Sequence, residues 1–271
     1  MKKYALHLGL NVVDPDHYDG WDGKLDACVN DSEFYKGLST KSEFDKIIVL
    51  QNADATSDEV IRHLTSFASD LESGDLFFFT YSGHGSQVRD INNDESDDEF
   101  DETWCLFNRQ LVDDELFEAF KAFNRGVKIF MVSDSCHSGS VSRAQPAFKV
   151  RKAPTDISQR TILKNKAIYM PILTRSGVTR DAMGAQVLQF SGCQDEQLSY
   201  EFGENGLFTT VFKKTLEDAE NLSYASFFKV VAAEVPKILE GATTPDVLIQ
   251  NPNMFSYGNS EFEFSAEETF F

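Results

Sequence analysis

The chain has 271 residues, enough for one α/β domain with a sizeable buried core. Its formal charge of −19, from 44 acidic against 25 basic residues, repels nucleic-acid backbones and argues against DNA or RNA as a partner. The apolar runs are strand-length and too short to cross a membrane, and the four cysteines (Cys28, Cys105, Cys136 and Cys193) form no C-x-x-C pair, against a structural zinc site or a disulfide framework.

Residues 4–10 read as a first strand and not as a signal peptide, because the apolar stretch is short and Asn11 and Asp14 follow at once. Without a leader, a cytoplasmic location is expected. The chain opens almost directly on this strand, so no recruitment domain is expected before it. Residues 25–38 carry a rough apolar stripe at helical spacing, and 47–50 predict a strand. Thr56-Ser57-Asp58-Glu59 is a capping box that opens a helix through residue 71. The run 76–81 is a buried strand that ends at Ser82-Gly83-His84-Gly85. An acidic loop, 90–102, and a short stretch, 103–107, precede a helix over 113–123. Residues 127–132 form a second buried strand, ending at Ser133-Asp134-Ser135-Cys136-His137-Ser138-Gly139-Ser140.

Residues 140–184 break this alternation. They are basic and proline-containing inside an acidic chain, and read as a cleavable linker. A strand over 185–192 and helices over 208–219 and 224–239 follow. Phe262 and Phe264 alternate with Glu261 and Glu263, which predicts a late edge strand. The whole is an α/β fold, a mostly parallel sheet with helices on both faces in a single domain.

His84 and Cys136 each stand just past a buried strand. Carboxyl ends of strands are where ligands collect in open α/β sheets. A thiol and an imidazole at one sheet edge make a nucleophile and a base, and their separation is about the 50 residues typical of caspases. The backbone N–H groups of Gly85 and Cys136 suit an oxyanion hole. His137 competes as the base, although adjacent side chains usually point different ways. His7 and His63 read as packing residues, and His17 has no assigned role. Asp134, two residues before Cys136, falls near the site on position alone.

The segments 81–86 and 134–140 closely resemble the two catalytic motifs of metacaspases, called orthocaspases in bacteria. The likeness extends to Asp26-Ala27-Cys28-Val29-Asn30-Asp31, to Ser191-Gly192-Cys193-Gln194-Asp195 and to Asn205-Gly206-Leu207-Phe208-Thr209, in order along nearly the whole chain. The resemblance implies a caspase-like fold and a cysteine endopeptidase that cuts after Arg or Lys, not after Asp. It implies that Asp31 and Asp134 line the first specificity pocket, with Cys28 and Ser82 at two further pocket positions; a carboxylate fork is the natural holder of a guanidinium. It implies one peptidase domain over 1–271, with a large-subunit-like half (1–142), the basic linker (143–184) and a small-subunit-like half (185–271).

Self-processing in the linker is expected, with Arg143, Lys149, Arg151, Lys152, Arg160, Lys164 and Lys166 as first candidates and Arg175 and Arg180 behind them. The acidic loop lacks the Gly and Glu of an EF-hand. Three of the four aspartates that bind activating calcium in metacaspases match Asp101, Asp113 and Asp114, while the fourth falls on Arg143, a cation that repels the ion. No cofactor is required on this reading, and calcium stays open as an activator. Expected partners are polypeptides that contain basic residues, with no nucleic acid and no membrane, and the chain is expected to be a monomer. The alternative is a non-proteolytic caspase homologue that acts as a scaffold or regulatory binding protein, which the intact Cys136 and His84 weigh against.

Overall fold

The order of elements is β1 (Lys3–Gly9), α1 (Cys28–Lys41), β2 (Lys46–Gln51), α2 (Ser57–Asp70), β3 (Leu76–Ser82), β4 (Gly85–Arg89), β5 (Phe100–Cys105), β6 (Gln110–Val112), α3 (Asp113–Lys121) and β7 (Lys128–Asp134). Then come α4 (Thr155–Lys164), α5 (Lys166–Leu173), β8 (Gln186–Ser191), β9 (Glu201–Phe202), β10 (Asn205–Gly206), α6 (Leu207–Asp218), α7 (Tyr224–Ala242) and β11 (Asn253–Gly258). The computed structural model describes residues 1–89, 100–136, 149–175, 183–194, 197–218, 221–242, 249–259 and 263–271.

Six strands form one sheet in the order β11-β8-β7-β3-β1-β2, parallel throughout except for the antiparallel edge strand β11. The central strands are apolar on both faces because helices cover both. On β3, Phe77, Phe79 and Tyr81 join a core with Val60, Leu64 and Phe67 of α2 and Leu116, Phe117 and Phe120 of α3. Leu76 and Phe78, pointing the other way, join Tyr35 and Leu38 of α1, Leu207, Phe208, Val211 and Phe212 of α6 and six residues of α7. A strand buried on both faces loses the polar alternation of a half-exposed one, which is why it reads as a continuous apolar run.

The chain steps outward from β1 to β2 and then crosses back to β3, so the sheet reverses direction between β1 and β3. Crevices at such reversals are where α/β sheets bind ligands. Register completes the arrangement: Ser82 at the end of β3 pairs with Asp134 at the end of β7. His84 and Cys136 each lie two residues beyond that pair.

Thr56 caps α2 as expected, its hydroxyl accepting from the Glu59 N–H at 3.3 Å. α1 has no cap of its own. Asn11 Oδ1 accepts from the N–H groups of Cys28 and Val29 (2.8 and 3.2 Å), and the Glu201 carboxylate accepts from Ala27 (2.7 Å).

Three sequence expectations are corrected in detail. The expected acidic loop ends earlier, because Asp101 and Glu102 belong to β5, which pairs with β4; 90–99 lie outside the described residues. The basic segment carries two helices, with Tyr169 and Leu173 of α5 packed on Val88 and Val112 of the small β4–β5–β6 sheet. Its charges meet acidic partners: Arg160 pairs with Asp19 and Asp156, and Arg175 with Glu118. The late edge strand is β11, while Phe264 is buried in a 3-10 turn, Phe264–Ala266; Glu261 and Phe262 lie outside the described residues. Among the described residues no helix is long and apolar enough to cross a membrane.

Candidate active site

The ends of β3 and β7 converge on one peptide of the chain itself. The carbonyl oxygen of Arg151 accepts hydrogen bonds from the backbone N–H groups of Gly85 and Cys136, both at 3.1 Å. Two donors on one carbonyl oxygen are what an oxyanion hole supplies. The chain on either side of Arg151 is gripped as an added strand. Its N–H donates to Ser199 O at 3.0 Å, Glu201 N–H donates to Lys149 O at 2.9 Å, and Val150 bridges Tyr200 in antiparallel sense. On the far side, Ala153 N–H donates to Gly85 O at 2.9 Å. The connecting residues 137–148, including His137 and Arg143, lie outside the described residues.

The Arg151 side chain is fully buried among the residues expected to line a specificity pocket. Its Nη2 donates to Asp31 Oδ2 at 2.7 Å, and its Nη1 to Ser82 Oγ at 2.8 Å and to the Asp134 carbonyl at 3.1 Å. Nη1 also lies 3.1 Å from Asp134 Oδ2. Both carboxylates are held by further donors. Asp31 accepts from Ser82 Oγ (2.6 Å), Asn205 Nδ2 (2.8 Å) and Gly206 N–H (3.1 Å). Asp134 accepts from Ser199 Oγ (2.5 Å) and from the Thr209 hydroxyl (2.8 Å) and N–H (3.2 Å). Burial raises the Asp31 carboxyl above its ordinary range, and the guanidinium works against that rise. Burial pushes the Cys28 thiol up to about 12, with Arg151 pulling the other way. Gly206 closes the pocket: a β-carbon there would overlap Asp134 Oδ2 and stand 2.5 Å from Arg151 Nη1.

Cys136 is fully buried, and its Sγ accepts from the Ser199 N–H at 2.6 Å. His84 is held by Gly23, whose carbonyl lies 3.0 Å from Nε2. A carbonyl only accepts, so Nε2 carries the proton and the neutral ring presents a bare Nδ1. That Nδ1 is buried and has no hydrogen-bond partner among the described residues. Burial lowers the imidazole to about 4, against the Gly23 carbonyl and the nearby Lys152 backbone, which favour the proton. Trp21 packs on the ring at 4.7 Å between centroids. Tyr81 donates to the His84 carbonyl at 2.6 Å, which fixes the turn from beneath.

Of the residues expected at the site, Gly85 and Cys136 therefore meet the Arg151 carbonyl, and Asp31, Ser82 and Asp134 meet its guanidinium. Asp101, Asp113 and Asp114 are not part of this cluster. Asp101 is buried in β5 opposite Val88, and Asp113 and Asp114 open α3. Among the described residues no group of three His, Cys, Asp or Glu side chains is arranged to hold a metal ion. Sequence reasoning missed Trp21, Gly23, Ser199 and Glu201, which act on the site from loops and a two-residue strand. His17 bonds Tyr169 of α5 at 2.8 Å, and His7 is buried between Thr80 and Ser39, both away from the site.

A central parallel sheet with helices on both faces and this convergence of strand ends define a caspase-like α/β domain. Residues 3–145 match the family model of the metacaspase, peptidase C14 domain, and the chain belongs to the metacaspase family. It is 31% identical over 216 residues to metacaspase-1 of Plasmodium falciparum, covering 74% of this chain and 31% of that protein. It is 27% identical over 224 residues to metacaspase-1 of Arabidopsis thaliana, covering 75% of this chain and 58% of the relative. The chain thus spans less than two thirds of the length of each of those relatives. A crystal structure of a Geobacter sulfurreducens protein superposes with a TM-score of 0.86 at 38% identity, over 100% of this chain and 98% of the other.

Proposed function

We propose that the protein is a cysteine endopeptidase that cuts after arginine or lysine through Cys136 and His84, and that its own first substrate is the Arg151–Lys152 bond. The observation that carries this reading is the Arg151 carbonyl, held by the N–H groups of Gly85 and Cys136 while its guanidinium fills a pocket with two carboxylates. A basic side chain satisfies that pocket, and an acidic one would face buried like charge.

The reaction follows from the same contacts. Cys136 loses its thiol proton to His84 Nδ1, and the sulfur adds to the Arg151 carbonyl carbon. The oxygen takes up negative charge against donors already in place. His84 returns the proton to the Lys152 nitrogen as the C–N bond breaks, leaving a thioester on Cys136. Water hydrolyses the thioester, which frees the Arg151 carboxyl and restores the thiol. While Arg151 fills the pocket no other basic residue can enter, so cutting precedes action on other polypeptides. All four cysteines are free thiols, in keeping with a reducing cytoplasm.

Intact-mass measurement of the purified protein tests the proposal. Fragments 1–151 and 152–271 are expected, and a Cys136→Ala chain stays whole. A cut at another bond, or an uncut chain with full activity on Arg-containing peptides, would overturn it.

A further inference from the structure

The grip on the chain extends beyond Arg151. Lys149 Nζ lies 2.6 Å from Asp26 Oδ2, and this hydrogen bond holds the Asp26 carboxyl below its ordinary range. Isolated surface pairs of this kind are common and weak. Here, however, one residue fixes both partners. The Glu201 backbone N–H holds the Lys149 carbonyl at 2.9 Å, and the Glu201 carboxylate accepts from the Asp26 and Ala27 N–H groups at 2.7–3.1 Å. Glu201 is itself buried. In an extended chain, side chains two apart share a face. Lys149 and Arg151 therefore project together, one toward Asp26 just before α1 and the other toward Asp31 within it.

We propose that Asp26 forms a further specificity subsite, selecting a lysine or arginine two residues before the residue at which the chain is cut. The preferred substrate class is then a polypeptide carrying basic–any–basic, of which Lys149-Val150-Arg151 is the built-in example. This rests on the reading of Arg151 as the residue cut after. Asp26 is a specificity residue and takes no part in the bond-breaking step.

The test follows the rate of the cut after Arg151 in the full chain by intact mass. Lys149→Gln and Asp26→Asn should each slow the cut by about two- to fivefold, the range expected for an exposed ion pair. The double variant should be no slower than either single one, Lys149→Arg should keep the rate, and added salt should erode the difference. The swapped pair Asp26→Lys with Lys149→Glu should recover speed lost in Lys149→Glu alone. Both side chains are substantially exposed, at 65% and 42%, so the changes leave the core untouched. Unchanged rates in both single variants, or slowing that multiplies in the double variant, would overturn the subsite while leaving the Arg151 reading intact. An unaltered chain that never cuts after Arg151 would overturn both.

Discussion

The carbonyl oxygen of Arg151 accepts a hydrogen bond from the backbone N–H of Cys136 at 3.1 Å, so the residue proposed as the nucleophile binds a peptide only fifteen positions further along its own chain. The contact is already made within one molecule, which gives the proposed cut a specific kinetic form. Self-cleavage should be first order, with a half-time independent of protein concentration over a hundredfold range. His84→Ala should slow it by about 100- to 10,000-fold, the usual contribution of a positioned acid or base. A rate that rises in proportion to concentration would show instead that one molecule cuts another.

Arg151 also stabilises the uncut fold. Its guanidinium is the cation between two fully buried carboxylates. Removing one partner of such a cluster leaves uncompensated buried charge and costs about 3 to 5 kcal/mol. Arg151→Ala in a Cys136→Ala background should lower the denaturation midpoint clearly, measured in urea so that no cleavage intervenes. Replacing Asp31 by Asn should cost less, because Asp134 still balances the cation.

Gly206 gives the pocket its depth. Alanine there would place its methyl group against Asp134 Oδ2 and 2.5 Å from the guanidinium. Gly206→Ala should therefore block self-cleavage and turnover of Arg peptides while the circular-dichroism spectrum stays native. Wild-type turnover in that variant would show that the guanidinium binds elsewhere.

Acid should destabilise the protein through two buried histidines. Burial lowers His84 to about 4 and His7 to about 3, from an ordinary 6.5. The unfolded chain then binds more protons than the folded one between those values, so stability is complete above pH 6.5 and falls as pH drops toward 3. The combined loss is on the order of several kcal/mol. Equilibrium unfolding of the Cys136→Ala chain at a series of pH values should show it, and His7→Gln should remove part of the slope. Because His84 remains neutral to about pH 4, self-cleavage should persist in mildly acidic buffer.

The two fragments should stay together after the cut. β1, β2, β3 and β7 would belong to one piece and β8 and β11 to the other, yet β7 and β8 pair from Lys128–Gln186 to Ser133–Ser191 in one sheet. A denaturing gel should resolve two bands where a sizing column shows one species. Separation of the halves on the column would mean that the chain linking β7 to β8 holds the sheet closed.

The sequence by itself determined the two buried strands and the residues at their ends, because a strand covered on both faces must be apolar throughout and its polar punctuation marks where it stops. It also marked Asp31, Asp134, Cys28 and Ser82 through a family likeness. It left seven basic residues level as first candidates for self-cleavage, since net charge and local composition say nothing about which one is buried. Only the tertiary structure places the Arg151 carbonyl on the N–H groups of Gly85 and Cys136 and its guanidinium between Asp31 and Asp134. That placement depends on contacts between residues far apart in sequence: Ser82 with Asp134 in register, Ser199 and Glu201 gripping the chain from a distant loop, and Gly23 turning the His84 ring. The same holds for α1, whose start is capped by Asn11 and Glu201 and not by its own neighbours. Local patterns record the preferences of one segment, whereas a binding site is made where several segments are forced to meet by the packing of a shared core.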